Sequence, residues 1–190
     1  MKASSHKPDL PGLQEVMNQA ECLYPQHVVE QTLDRLGTEI SAQMSTLDPV
    51  LLCVMNGGLV LCGKLLTRLN FPLQLDYVHA SRYREELTGA ELLWKVYPSV
   101  ELAQRHVLII DDILDEGETL ARIAQFCHGQ GAVSVRTAVL VNKQHDRKHP
   151  QASTADYTGL SIPDRYVFGY GMDYKGYWRN APGIYAVRES

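Results

Sequence analysis

His106-Val-Leu-Ile-Ile-Asp-Asp-Ile-Leu-Asp-Glu-Gly-Glu-Thr-Leu120 reads as a buried strand that runs into a set of acids and then into a helix. Val107 to Ile110 is wholly apolar, the pattern of a strand covered on both faces. Asp111 to Glu118 is expected as a turn, with a helix beginning near Thr119. Leu120, Ile123, Ala124 and Cys127 mark that helix, which is expected to stop near Gly129 or Gly131. Such a turn turns free backbone N–H groups and the positive end of a helix toward an anion, which suits a phosphate. Asp111 and Asp112 could accept hydrogen bonds from a vicinal diol. The plainer alternative is a strand end with solvated acids and an Asp or Thr cap.

Outward from this stretch, strands and helices alternate. Val29, Leu33, Leu36, Ile40 and Met44 step by three or four, the stripe of an amphipathic helix from Gln26. Asp48-Pro49 breaks it, and Val50 to Met55 reads as a buried strand ended by Asn56-Gly57-Gly58. A second stripe follows at Leu59, Cys62, Leu65, Leu66 and Leu69. Leu73 to Ala80 alternates, with Leu73, Leu75 and Tyr77 on one face, and Glu91 to Tyr97 reads as a further strand. Val133 to Val141 is another strand, followed by a charged loop from Asn142 to Pro150. The order predicts an α/β fold, a parallel sheet with helices on both faces. Ligands bind beyond the carboxyl ends of strands in such sheets, so the loops after Met55, Ile110 and Val141 matter most.

A chain of 190 residues predicts one domain. Lys+Arg 18 against Asp+Glu 22 leaves a net charge of −4, which argues against nucleic acid as a partner. Apolar runs such as Val50 to Met55 fall far short of the roughly 20 residues a membrane span needs. Met1 to Pro8 carries no apolar signal core, and Cys22, Cys53, Cys62 and Cys127 form no C-x-x-C pair, so a cytoplasmic protein with reduced thiols is expected.

The segment Val107 to Leu120 resembles the phosphoribosyl-diphosphate signature of type I phosphoribosyltransferases: an apolar strand, two acids, two apolar residues, Asp, any residue, Gly, any residue, Thr. Three further stretches resemble the hypoxanthine-guanine branch of that family: Met55-Asn-Gly-Gly-Leu-Val60, Leu140-Val-Asn-Lys143, and Ile162-Pro-Asp-Arg-Tyr-Val-Phe-Gly-Tyr-Gly-Met-Asp-Tyr-Lys-Gly-Tyr-Trp-Arg179. The resemblance implies one phosphoribosyltransferase domain over residues 1–190, with a core at about 26–155 and a small hood built from about 1–25 and 156–190. The implied reaction is purine salvage, in which ribose 5-phosphate passes from phosphoribosyl diphosphate to hypoxanthine, guanine or xanthine and pyrophosphate leaves.

The implied residue roles follow the motifs. Asp115 is the implied catalytic base, and Asp111 and Asp112 hold the ribose hydroxyls. Glu116, Gly117, Glu118 and Thr119 form the phosphate loop, Asn56 and Gly57 the diphosphate loop, and Arg179 a pyrophosphate clamp. Lys143, Tyr166, Val167 and Asp173 surround the purine. Mg²⁺ arrives mainly with the diphosphate, beside Asp173, Asp111 and Asp112. Ser81 and Tyr83 belong to an implied lid. The resemblance also implies a cis peptide before Asn56 and assembly as a homodimer or homotetramer. The chain departs from the family in carrying Glu116 where most relatives have Thr or Ser, and Ser-Arg-Tyr83 where Ser-Tyr is commoner.

Competing patterns are weaker. Gly58-Leu-Val-Leu-Cys-Gly-Lys64 nearly spells a phosphate-binding loop, but Leu65 stands where Ser or Thr belongs. His145 and His149 have a spacing seen in zinc sites, without a cysteine pair. The alternative from another class is a regulator of the same fold that senses purine or phosphoribosyl diphosphate. It would need a basic face or an added nucleic-acid module.

Overall fold

The stripe from Val29 to Met44 forms the longest helix, and all five of its apolar positions are fully buried. Burying each contributes about 1.5–3 kcal/mol, which is why this helix anchors one face of the fold. The computed structural model describes residues 9–82 and 92–188. In chain order these form α1 (Leu10–Gln19), β1 (Glu21–Pro25), α2 (Gln26–Met44), β2 (Val50–Val54), α3 (Leu59–Leu66), β3 (Gln74–Arg82) and β4 (Leu92–Val96). They continue with β5 (His106–Leu114), α4 (Glu118–Gly129), β6 (Ser134–Gln144), β7 (Tyr157–Pro163), β8 (Val167–Phe168) and β9 (Gly183–Ala186).

Six strands form the main sheet in the order β4-β3-β2-β5-β6-β7, parallel except where β4 runs against β3. One apolar layer unites α2 and α3 with this sheet, among them Leu33, Leu36, Leu61, Leu65, Leu108 and Leu140. The opposite layer joins α4 to it through Leu120, Ile123 and Cys127 against Val107, Ile109 and Val139. A second sheet, β1-β9-β8, draws together segments from both ends of the described chain.

Three expectations need correction. The strand after His106 does not stop at Ile110: it runs to Leu114, because β6 pairs with it through Leu114↔Asn142. Asp111 and Asp112 therefore lie on the strand itself. The charged loop expected from Asn142 starts later, since β6 extends to Gln144 and carries Lys143. Residues 157–163 belong to the main sheet as its edge strand β7, so the core reaches beyond 155 and the small sheet draws its carboxyl-side strands from after Pro163. On β3 the face bearing Leu75 and Tyr77 is the exposed one, and Asp76, Val78 and Ala80 are buried. Asp76 tolerates burial because Ser99 N–H (2.6 Å), Ser99 Oγ–H (3.0 Å) and Val100 N–H (2.8 Å) all donate to its Oδ2.

The hood is tied to the core through Glu30 on α2. Tyr170 Oη–H donates to Glu30 Oε1 at 2.7 Å, beside Lys64 Nζ at 2.6 Å, while Arg68 donates to Oε2 at 2.7 Å. Burial raises the Glu30 carboxyl, but the hydrogen bonds from Lys64, Tyr170 and Arg68 outweigh it and bring its pKa from 4.5 to about 2. A depression of that size corresponds to roughly 3 kcal/mol, an upper figure because the group is partly solvated. The folded-state pKa is lowered, so this stabilisation is full above about pH 4.5 and fades as pH falls toward 2. Glu30→Gln is expected to cost about 2–3 kcal/mol at pH 7, with the gap to wild type narrowing on acidification. Urea unfolding of both proteins at pH 7 and at pH 3 measures this; a gap that is absent at pH 7, or that does not shrink, contradicts it.

Candidate active site

The site exists because β2 ends before its neighbour does. The β2–β5 pairing stops at Cys53↔Ile110, while β5 continues against β6 alone. The loop Met55 to Gly58 turns away at that point, and Asp111, Asp112 and Ile113 of β5 line the cleft beside it. A Cβ at residue 57 would lie 2.2 Å from Asp112 Oδ2, so the Asp112 carboxylate would have to move to admit any larger residue there. The Met55–Asn56 peptide is cis. The hood closes over the same loop: at Gly171 (φ +106) a Cβ would lie 2.1 Å from Gly57 O, so only glycine allows this approach.

The result is a cleft of about 500 Å³ at the carboxyl end of the sheet. Asn56, Gly57, Asp111, Asp112, Asp115, Thr119, Lys143, Tyr166, Val167, Asp173 and Arg179 all line it. Glu116, Gly117 and Glu118 line a neighbouring hollow of about 190 Å³ that shares Asp111, Asp112, Asp115 and Thr119. Of the two residues expected in a lid, Ser81 lies at the end of β3, where its backbone pairs with Leu93, and Tyr83 lies outside the described residues.

Each functional side chain has identifiable partners. Burial pushes the carboxyl of Asp111 well up, with the charge of Asp112 adding to it. Asp112 is also raised by burial, against the pull of Asp111 and Arg179. Asp111 Oδ1 accepts from the Asp112 N–H at 2.9 Å. Arg179 joins the hood to the strand end: one guanidinium nitrogen is 2.5 Å from Asp173 Oδ1 and the other 4.0 Å from Asp112 Oδ2. Asp173 Oδ2 accepts from the Gly176 N–H at 2.6 Å. Asp111, Asp112 and Asp173 line one cleft and carry the oxygen ligands a hard divalent cation takes, but among the described residues their carboxylate oxygens do not all lie within 4.8 Å of one another.

At the other end of the cleft, Lys143 Nζ donates to Asp115 Oδ2 at 3.1 Å and lies 3.8 Å from Asp164 Oδ1. His145 Nε2 meets Asp115 Oδ1 at 2.8 Å. Burial would raise the Asp115 carboxyl, but these two donors hold it below the ordinary range. Tyr166 is 54% exposed and meets the Tyr174 ring edge-on, so it is not a core aromatic; a flat ligand can reach its ring.

The turn into α4 is built around Gly117, whose φ of +84 opens the helix at Glu118. Glu118 is turned along the helix, its carboxylate held by Arg122 at 3.0 Å. The Glu118 carboxylate is thereby pulled toward the helix side.

Sequence reasoning missed His145 and Asp164 as members of this site. His145 is paired with Asp115, not with His149, whose Nδ1 accepts from the Gln151 N–H at 3.2 Å. Asp115, His145 and Asp164 each bring a ligand atom within 4.8 Å of the others. Lys143 stands among them, however, and supplies the positive charge itself.

The family model of the phosphoribosyl transferase domain matches residues 19–175. The chain belongs to the phosphoribosyltransferase family. It is 29% identical over 168 residues to the hypoxanthine-guanine-xanthine phosphoribosyltransferase of Tritrichomonas foetus, covering 88% of this chain and 91% of the relative. It is 28% identical over 165 residues to the hypoxanthine-guanine phosphoribosyltransferase of Bacillus subtilis, covering 85% and 89%. The crystal structure of a hypoxanthine phosphoribosyltransferase from Staphylococcus aureus superposes with a TM-score of 0.84 at 27% identity, over 90% of this chain and 94% of that one. Among the described residues of this phosphoribosyltransferase, no helix is long and apolar enough to cross a membrane.

Proposed function

We propose that this phosphoribosyltransferase acts in purine salvage, transferring ribose 5-phosphate from phosphoribosyl diphosphate to a 6-oxopurine and releasing pyrophosphate. The observation that carries the reading is one open cleft that joins a carboxylate–lysine pair, Asp115 and Lys143, to the turn at Thr119 and to Arg179. In the reaction the bond from C1′ to the pyrophosphate oxygen breaks and a bond from C1′ to a purine nitrogen forms. The electron pair leaves with pyrophosphate, and the purine gives up one proton.

Asp115, ionised and facing the cleft, takes that proton from N7 of the base, a step worth about 10²–10⁴-fold. Lys143 donates to the 6-oxo group, which favours oxopurines over adenine, and the exposed ring of Tyr166 stacks on the base beside Val167. The backbone N–H groups of Gly117 to Thr119 hold the 5-phosphate at the start of α4. Asp111 and Asp112 accept from the ribose hydroxyls, while Asn56, Gly57 and Arg179 hold the diphosphate. Asp173, with Asp111 and Asp112, would hold Mg²⁺ beside the diphosphate, and the bound ion would neutralise charge on the leaving group. The place of Asp111 and Asp112 in the lining of the cleft, between Asp115 and Arg179, supports the diol role.

Incubating the purified protein with phosphoribosyl diphosphate, Mg²⁺ and hypoxanthine, guanine or xanthine tests the reading, with nucleoside monophosphate expected. Tight diphosphate binding without turnover on any oxopurine would favour a sensor. Lys143→Ala is expected to raise the purine KM about tenfold or more, the loss of a charge-assisted hydrogen bond, with kcat changed less. An unchanged purine KM removes Lys143 from base recognition. Cytoplasmic location and homodimer or homotetramer assembly are part of the same reading. The exposed apolar side chains of Leu75, Tyr77 and Leu93 offer a surface for assembly, and sedimentation velocity decides it.

A further inference from the structure

His145 has no part in the chemistry above, yet its side chain is only 4% exposed and is directed at the carboxylate on which the proton step depends. Its ring protonation follows from its neighbours. The Arg147 backbone N–H donates to Nδ1 at 3.1 Å, so that nitrogen carries a lone pair and no proton. The proton is therefore on Nε2, which donates to Asp115 Oδ1 at 2.8 Å. With Lys143 Nζ on Oδ2 at 3.1 Å, each carboxylate oxygen has one fixed donor.

We propose that His145 is a positioning residue for Asp115, its Nε2–H fixing the carboxylate in the orientation from which it accepts the purine proton. The inference rests on the reading of Asp115 as the proton acceptor. A proton relay through His145 is not available to this geometry: Nε2 already bears hydrogen, and Nδ1 is occupied by the Arg147 amide. The backbone between Gln144 and Arg147 thus sets the tautomer, and the tautomer sets the carboxylate. Other charges also act on Asp115. Lys143, Lys148 and Arg147 are the cations, and Lys148 is itself anchored to Leu114 O at 2.7 Å and Asn142 Oδ1 at 2.9 Å. Glu116 is adjacent in the chain, and Asp164 competes for Lys143 at 3.8 Å. Asp164 also lies near both donors bonded to Asp115, 3.8 Å from Lys143 Nζ and with a carboxylate oxygen within 4.8 Å of a ring nitrogen of His145.

His145→Ala is expected to lower kcat about tenfold, the lower end of what loss of a group that orients a functional side chain costs. The KM for phosphoribosyl diphosphate should stay within twofold. Removing a donor raises the Asp115 pKa, so the acid limb of the kcat/KM profile should move to higher pH. His145→Gln, whose amide N–H can reach the same oxygen, should restore most of that limb. A merely structural role would lower stability without moving the limb. If a folded His145→Ala protein keeps the wild-type kcat and acid limb, the positioning role is wrong and the proposed function stands. If wild type forms no nucleotide, both fall. Long-range ¹H–¹⁵N spectra of the wild-type imidazole provide a readout that needs no variant to fold. The Nε2–H tautomer is expected at pH 7, and an Nδ1–H or doubly protonated ring overturns the proposal.

Discussion

Replacing Asp115 by Asn is expected to lower kcat at least tenfold while changing phosphoribosyl diphosphate affinity only a few-fold. The amide can still accept one hydrogen bond, from His145 at the Oδ1 position (2.8 Å in wild type). Its other atom becomes an NH₂ donor facing Lys143 Nζ, 3.1 Å from the present oxygen, where two donors oppose each other. More importantly, an amide cannot take the purine proton at neutral pH, and a positioned base contributes about 10²–10⁴-fold. The diphosphate and 5-phosphate contacts run through other residues in the proposed scheme, so binding should survive. Steady-state kinetics with hypoxanthine, together with calorimetric titration of phosphoribosyl diphosphate, separate the two effects. An unchanged kcat would remove Asp115 from the chemistry.

The second large effect is expected from Gly117→Ala. Residue 117 has φ +84, a region that costs an L-residue about 1–2 kcal/mol. A Cβ there would also stand 2.3 Å from the backbone oxygen of Ala152. Both sides of that contact are backbone, so the turn into α4 or the segment around Ala152 must shift. A loss of about 2–4 kcal/mol is expected, which for a chain of this size lowers Tm by at least about 5 °C. The same shift re-aims the N–H groups of residues 117–119, so the KM for phosphoribosyl diphosphate should rise about tenfold or more. Thermal unfolding and initial rates check both parts. A variant with wild-type Tm and KM would show that the turn adapts and that its amides do not hold the phosphate.

Much of this fold is legible in the chain because the signals are local. The three-to-four spacing of Val29, Leu33, Leu36, Ile40 and Met44 specifies a helix face whatever it packs against, and all five are buried. The apolar run at Val107 to Ile110 and the acids after it mark the strand end where the cleft forms. The alternation in β3 announced a strand but not its inner face. That choice depended on Asp76 finding donors at Ser99 and Val100, 23 and 24 residues away. A buried carboxylate is costly until its partners are known, and one strand's pattern does not contain them.

Local patterning in the chain specifies the alternation of strands and helices and marks the acids that precede α4. How the side chains around Asp115 meet is a matter of strand register. The register Leu114↔Asn142 sets Lys143 and His145 against Asp115, across separations of 28 and 30 residues. A spacing that resembled a zinc pair became a single imidazole held in one tautomer by a backbone N–H. The physical reason is range: periodicity and turn chemistry act over a few residues, whereas hydrogen-bond partners across a parallel sheet are chosen by strand register. That register is set by the packing of the whole core.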